Sequence, residues 1–173
     1  MRLDHIAFRT NDRLRTAQEL NITLGYSIDP DLPEGFDVQF EDGTNAKCLV
    51  LQPPEGSYQN RNIHPWPSPN EYHSPPEIFV SDGSSNSIVS EWVNHHGPGV
   101  HHLAYEVKSV EGTMTEWRKK GIEFTTENPL TCPGLIQAFT KPSLHTGIII
   151  EIIERTTHGF CKDNVKDLME STK

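Results

Sequence analysis

The chain has 173 residues, enough for one domain with a buried core, and a formal net charge of −9, from 15 Lys and Arg against 24 Asp and Glu. This acidic balance argues against a surface that binds nucleic acid, and no apolar run is long enough for a signal peptide or a membrane span. We therefore expect a cytoplasmic protein that acts on a small molecule, with neither nucleic acid nor a membrane as its partner.

The first part of the chain predicts a strand at Leu3–Arg9, a helix at Asp12–Thr23 and a closing glycine, Gly25, at the C-cap. Three further strands are predicted from alternating or apolar sequence, near Tyr26–Asp29, Phe36–Phe40 and Ala46–Leu51.

The middle of the chain repeats this plan, with a strand at Val100–Val107, a helix at Val110–Lys120 and a closing Gly121. The strands predicted after it lie near Glu123–Thr125, Leu135–Thr140 and Gly147–Glu154. The spacing from the strand histidine to the closing glycine differs by only one residue between the two copies. We interpret the similarity as a duplicated βαβββ module.

The predicted fold class is therefore α+β, as one domain over residues 1–173. Its parts are module one (1–55), a proline-rich connection (56–84), module two (85–155) and a C-terminal helix (156–173). The segment from Pro53 to Glu77 is too irregular to predict a strand or helix of useful length. A weak amphipathic helix is expected near Ser85–Asn94.

The cysteines Cys48, Cys132 and Cys161 are an odd number, far apart, and without CxxC spacing. They predict neither a disulfide framework nor a zinc site built from thiolates. We expect three free thiols.

The histidines separate into candidates and surface residues. Aligning HIAFRT with HLAYEV pairs His5 with His102, and strand alternation leaves His101 on the opposite face. A lone strand histidine is usually structural, but two at matched positions of a repeat are brought together by a pseudo-two-fold axis. Surface positions are expected for the others, namely His64, His73, His95, His96 and His145, whereas His158 lies near the terminal segment and could approach the site.

A third ligand is predicted at Glu151, a carboxylate among five isoleucines in GIIIEIIE. The alternative is an edge strand with Glu151 facing solvent, but a buried carboxylate needs a partner. Two imidazoles and one carboxylate leave about three positions of an octahedral ion open, as in non-haem Fe(II) oxygenases, and Mn, Co or Zn would also suit this set.

The duplicated module with these residues resembles the vicinal oxygen chelate superfamily, which includes glyoxalase I, methylmalonyl-CoA epimerase and extradiol dioxygenases. The second half resembles most the catalytic domain of 4-hydroxyphenylpyruvate dioxygenase. GPGVHHLAYEV is similar to that family's GPGVQHIAL, GLIQAFTKP to its LLQIFTKP, and EIIERTTHGFCKDNVKDLME to its EIIQR and GFGxGNFxxLFExIE. This likeness covers Ser85 to Glu170.

The resemblance implies a half-open barrel in which His5, His102 and Glu151 bind Fe(II), and O₂ and a 2-oxo acid as reactants. It implies further that Gln137 and Phe139 line the substrate pocket and that Phe160, with the helix after it, closes the pocket. Dimers are common in the superfamily, so a homodimer is expected from the resemblance alone.

A metal-dependent isomerase, epimerase or lyase remains the alternative. Such enzymes of this superfamily generally use a fourth ligand from module one, at the position matching Glu151. Aligning NAKCLVLQPP with IIIEIIER puts Leu49 there, which cannot coordinate, although a one-residue slip would bring in Cys48 and Gln52 is not far away. This favours the oxygenase. A metal-free binding protein is the third possibility.

Overall fold

The computed structural model describes residues 1–54, 75–157 and 159–172. Its strands are β1 (Arg2–Arg9), β2 (Ser27–Ile28), β3 (Phe36–Gln39), β4 (Asn45–Gln52), β5 (Glu77–Gly83), β6 (Gly99–Glu106), β7 (Leu130–Cys132), β8 (Leu135–Phe139) and β9 (Ile149–Arg155). Its helices are α1 (Arg13–Leu24), α2 (Ile88–His96), α3 (Val110–Lys119) and α4 (Lys162–Glu170). No helix within the described ranges has the length and apolar character needed to cross a membrane.

All nine strands form one curved, unclosed sheet in the order β2-β4-β5-β1-β6-β9-β8-β7, with β3 paired to β4. The modules meet where β1 and β6 pair antiparallel. Within each module the first strand also pairs in parallel with the last, β1 with β5 and β6 with β9. The first and last strands of the two halves are therefore equivalent, and the predicted α+β fold with an unclosed sheet is confirmed, although module one has four strands after its helix where three were predicted.

The two matching helices begin and end where the sequence predicts. The Asp12 side chain accepts hydrogen bonds from the first backbone N–H groups of α1, and Ser109 does the same for α3. Gly25 closes α1 with φ of 75°, a left-handed conformation that glycine adopts without steric cost. Both helices cover the outer face of the sheet, which leaves the inner face free for a site.

The inner face is covered from the C-terminal side of the chain. Helix α4 buries Val165 and Met169 against residues of β1, β4 and β5, and Leu168 against Phe139 and Ile149. Its strong amphipathic pattern explains this packing, since its apolar residues recur at helical spacing. Any ligand on the inner face of the sheet would therefore lie beneath α4.

Strand β5 was not predicted. It lies at Glu77–Gly83, inside the range expected to be connection, and it is the strand of module one that pairs with β1. The strand was missed because EIFVSDG directly follows a proline-rich run and, being apolar on both faces, does not alternate between apolar and polar residues. In module two, Glu123–Thr125 forms only an isolated bridge, Phe124 with Thr140. The strand preceding β8 is instead Leu130–Cys132.

The expectation of three free thiols was wrong. Cys132 at the end of β7 and Cys161 before α4 form a disulfide, and Cys48 alone is a free, buried thiol. The two cysteines are 29 residues apart in sequence, so their contact depends on tertiary folding and no local spacing predicts it. The disulfide ties the C-terminal helix to the edge of the sheet.

Candidate metal centre

Three donor side chains meet on the inner face of the sheet, one from each of three adjacent strands. His5 lies on β1, His102 on β6 and Glu151 on β9, and their ligand atoms all lie within 4.8 Å of one another. Glu151 Oε2 is 3.3 Å from His5 Nε2 and 3.1 Å from His102 Nε2. Within the described residues no other group of three such side chains comes together in this way.

The spacing of these atoms fits a shared metal ion. With metal–ligand bonds of about 2.0–2.2 Å, neighbouring ligands at right angles lie roughly 3 Å apart. The carboxylate and the two imidazole nitrogens have this separation. His5 and Glu151 are each 1% exposed, and β9 is a central strand rather than an edge. The solvent-facing alternative for Glu151 is therefore wrong.

Strand pairing explains why the three side chains converge. In β1 and β6, Ala7 pairs with His102, and in β6 and β9, Ala104 pairs with Glu151. Alternate residues of a strand share a face, so His5 and Ala7 point to the same side. The alanines leave space between the strands for the larger donor side chains.

The prediction that His101 faces the opposite side was wrong. The register of β1 and β6 shifts between Ala7 and Phe8, which makes His101 an extra residue in a β-bulge. Its ring consequently lies 5.2 Å from that of His102 and lines the same cavity. Sequence alternation fails here because a bulge breaks the two-residue period.

A second bulge occurs at the equivalent place in β1. The register shifts between Leu3 and His5, so that Asp4 is the extra residue. Asp4 Oδ1 accepts a hydrogen bond from His5 Nδ1 at 2.8 Å, just as His101 Nδ1 lies 2.9 Å from His102 Nδ1. Each of the two candidate histidine ligands thus has its preceding residue as the partner of its Nδ1, which turns Nε2 toward the centre.

Further partners hold these side chains in place. Arg155 Nη2 donates to Asp4 Oδ1 at 2.7 Å. On the other side, Gln137 Nε2 donates to Glu151 Oε1 at 2.6 Å, and Asn164 Nδ2 donates to Gln137 Oε1 at 3.0 Å. The Glu151 carboxylate therefore has one oxygen fixed by Gln137 and the other directed at the imidazoles.

The electrostatics of the centre favour a cation. Burial opposes protonation of His5, but the adjacent Glu151 and Asp4 carboxylates outweigh it and raise the His5 pKa to about 9. Burial also opposes ionisation of Glu151, but the two imidazoles outweigh it and hold its pKa well below its usual range. For His102 burial prevails and lowers the pKa. A proton on His5 occupies the place that a metal ion would take.

The donors line a small apolar cavity of about 30 Å³. Gln137 and Phe139, predicted in the pocket, are among its lining residues, and the Phe139 ring is 4.7 Å from that of His102. Phe160, predicted to close the pocket, lies 5.0 Å from the His5 ring and 5.1 Å from the Phe79 ring. The volume holds about two water molecules, so the cavity in this conformation is smaller than an organic substrate.

Module one contributes a phenylalanine where module two contributes Glu151. Phe79 pairs with Ala7 as Glu151 pairs with Ala104, and the duplication equates the two alanines. The position predicted to match Glu151 was Leu49, which instead lies on β4 and packs on the outer face with Leu51. The correction follows from the unpredicted β5, and the matching side chain still has no donor atom.

The remaining histidines take no part in the centre as far as the structure describes them. His95, His96 and His145 are exposed, as predicted. The predictions for His64, His73 and His158 lie outside the described residues. Sequence reasoning missed Asp4, Arg9 and Asn164, all of them close to the centre. Asp4 could have been found from the repeat, because it precedes His5 as His101 precedes His102.

Comparison with known families gives one match. The family described as Glyoxalase/Bleomycin resistance protein/Dioxygenase superfamily matches residues 4–131, which run from within β1 to within β7. No curated protein sequence matches the chain.

Solved structures with a similar fold include methylmalonyl-CoA epimerases and a 4-hydroxymandelate synthase. Methylmalonyl-CoA epimerase from Mycobacterium tuberculosis has a TM-score of 0.62 at 18% identity, over 90% of this chain and 89% of that chain. A variant of the Streptomyces coelicolor epimerase in complex with 2-nitronate-propionyl-CoA has a TM-score of 0.57 at 18% identity, over 91% and 99%. A mutant of 4-hydroxymandelate synthase from Streptomyces coelicolor has a TM-score of 0.75 at 17% identity, over 98% of this chain but 52% of that chain.

Proposed function

The chain belongs to the Glyoxalase/Bleomycin resistance protein/Dioxygenase superfamily, and within it we propose that the protein is a non-haem Fe(II)-dependent dioxygenase acting on a 2-oxo acid or a similar chelating small molecule. The observation that carries the proposal is the donor set itself. Two imidazoles and one carboxylate converge at the candidate site, and the equivalent fourth position is Phe79. A three-ligand site of this composition leaves positions for a chelating substrate and O₂.

Some residues of the candidate centre would bind the metal, and others orient the side chains that bind it. His5, His102 and Glu151 would hold the metal, which when bound supplies the redox and Lewis-acid chemistry. Asp4 directs His5 Nε2 toward the metal, and Gln137 fixes the orientation of the Glu151 carboxylate. Each of these partners restricts rotation of a ligand and so preorganises the site.

The apolar walls would exclude water and position the substrate. Phe139 lies beside His102 and offers a ring on which a planar substrate can pack. Phe160 and the inner side of α4 close the other side, and because the cavity is small, substrate entry requires them to move outward. Closure over the bound substrate then keeps the reaction dry.

The test is oxygen consumption by protein loaded anaerobically with Fe(II) and then mixed with individual 2-oxo acids or catechols. We expect substrate-dependent uptake of O₂ by the wild type and none by His5→Ala or Glu151→Gln. His145→Ala is the matched control, since His145 is an exposed histidine away from the centre. If metal-loaded protein takes up no O₂ with any compound of either class, the dioxygenase proposal is wrong.

A second candidate function is metal-dependent isomerisation or epimerisation of the glyoxalase or methylmalonyl-CoA epimerase type. The observation favouring it is the bulge that brings His101 into the cavity, because it places an imidazole that is not one of the three candidate ligands beside the site. Such an imidazole could move a proton next to a metal-stabilised enolate. Turnover of a substrate under argon with Co or Mn, lost in His101→Gln, would select this candidate instead.

A further inference from the structure

Arg9 is a buried cation on the same inner face as the candidate metal ligands. It lies four residues after His5 on β1, lines the cavity and is 2% exposed. Its Nη2 donates to Thr172 Oγ1 at 3.0 Å, and its guanidinium carbon is 5.8 Å from the centre of the Trp92 ring. Its Nη1 is buried and has no hydrogen-bond partner in the part of the chain that the structure describes.

No carboxylate among the described residues balances this charge. Burial lowers the pKa of Arg9 to about 9, which still leaves it cationic at neutral pH. The titratable groups that interact with it electrostatically are Cys48, His101 and His102, and none of them is a carboxylate. A buried arginine is normally paired, because an uncompensated charge in a dry interior is costly.

The surroundings suit an anion that arrives with the substrate. A guanidinium presents several donors in one plane and binds a carboxylate through two parallel hydrogen bonds. Counting residues 1–54, 75–157 and 159–172, one terminal nitrogen of Arg9 has no partner and the other bonds a hydroxyl alone, which a carboxylate oxygen could replace. Since Thr172 belongs to the C-terminal segment that must move for substrate entry, opening would also release Nη2.

We propose that Arg9 binds a carboxylate at the end of the substrate away from the metal, so that the substrate is a small dianion. One end, a 2-oxo acid or similar chelating group, would lie at His5, His102 and Glu151, and the second carboxylate would lie between Arg9, Thr172 and Trp92. The inference rests on the proposed function for its first end only. Ala7, between His5 and Arg9 on β1, leaves room for the short chain that joins the two ends.

The experiment compares 2-oxo dicarboxylates of increasing chain length with 2-oxo monocarboxylates of the same lengths, using calorimetry on protein loaded with Mn under argon. We expect the wild type to bind at least one dicarboxylate about 10-fold or more tightly than its matched monocarboxylate, as a charge-assisted pair implies. Arg9→Met should remove that preference while monocarboxylate binding changes by less than about 3-fold, and Arg9→Lys should restore part of it. Arg15→Met is the control, an exposed arginine near the start of α1.

The outcomes separate the two hypotheses. If Mn binds but the wild type shows no preference for a dicarboxylate, or if Arg9→Met weakens both probe classes equally, Arg9 only fastens the C-terminal segment and the anion site is wrong. If no metal binds, the proposed function fails, and the anion site is then judged on the metal-free protein. If the metal-free protein prefers dicarboxylates and Arg9→Met abolishes that preference, the anion site is supported. If the metal-free protein shows no such preference, the anion site is wrong. Circular dichroism of each variant checks that the fold is intact.

Discussion

Phe79 lies on β5 at the position that Glu151 occupies on β9, because Phe79 pairs with Ala7 of β1 as Glu151 pairs with the equivalent Ala104 of β6. The pseudo-two-fold arrangement therefore offers two equivalent places for an acidic ligand, and only module two uses its place for one. The Phe79 ring instead contacts Phe160 of the C-terminal segment. Module one therefore contributes no donor atom at the position where module two contributes Glu151.

Placing a carboxylate at this position should convert the centre to four ligands. In Phe79→Glu we expect metal affinity to rise by about 10-fold or more, since a charged ligand is added. Turnover with O₂ should fall, because one fewer coordination position stays open. Equilibrium dialysis and the visible spectrum of the Co(II) protein would measure both the affinity and the coordination number. Phe79→Leu is the control, and equal affinity in the two variants would contradict the assigned equivalence.

Hydrogen bonds to the ligand side chains should affect metal affinity nearly as much as the ligands themselves. In Asp4→Asn the partner of His5 Nδ1 keeps its shape but loses its charge, and we expect metal affinity to fall by about 10- to 100-fold. Asp31→Asn, at an exposed aspartate, should leave the affinity unchanged. If Asp4→Asn binds metal as well as the wild type, the negative charge of Asp4 does not contribute to metal affinity.

Metal binding should depend on pH through His5. The raised pKa of about 9 means that His5 is protonated in the metal-free protein at neutral pH, and an ion at Nε2 must displace that proton. Apparent affinity should therefore rise with pH by about tenfold per unit until it levels off near about pH 9. Calorimetry in buffers of different ionisation enthalpy would count the protons released, and we expect about one per ion. Metal affinity that does not change between neutrality and about pH 9 would contradict the prediction that the metal displaces a proton from His5.

The same pKa has a consequence for stability without metal. His5 has a higher pKa folded than unfolded, so protonation contributes to the free energy of unfolding below about pH 6.5, and this contribution is lost as pH rises toward 9. Urea unfolding of the metal-free protein across this range should show the decline, and His5→Gln should reduce it. A decline of equal size in both proteins would assign it to other groups.

The sequence was sufficient to predict that His5, His102 and Glu151 converge. The repeated strand pattern implies a pseudo-two-fold axis that brings the two histidines together, and a single acid among isoleucines indicates a buried carboxylate with a partner. It was insufficient for His101 and Asp4, since a β-bulge adds one residue without changing the composition of the strand. Phe79 was missed for a different reason. The strand that carries it follows a long proline-rich segment, so the repeat was aligned one strand too early. Arg9 gave no signal, because its burial depends on Trp92 and Thr172 from distant elements.

The Cys132–Cys161 disulfide should hold the C-terminal wall of the cavity in place. It closes a loop of 29 residues, which in the chain-entropy account stabilises the folded state by about 3–4 kcal/mol. We expect the double variant Cys132→Ser, Cys161→Ser to lose roughly that amount in urea unfolding, and hydrogen exchange in α4 to rise more than in β1. The wild type treated with a reductant is the matched comparison, because it has the same loss of the crosslink with no change of sequence.

Cys161 lies where the disulfide can affect access to the candidate metal centre as well as the stability of the fold. It lies directly after Phe160, whose ring packs on His5 and Phe79, and directly before α4, which forms the wall over the inner face. Loss of the crosslink should therefore also speed exchange of the metal with a chelator, because the wall can open more often. If the double variant and the reduced wild type release metal at the rate of the oxidised protein, the wall does not control access, and the small cavity is opened from another side.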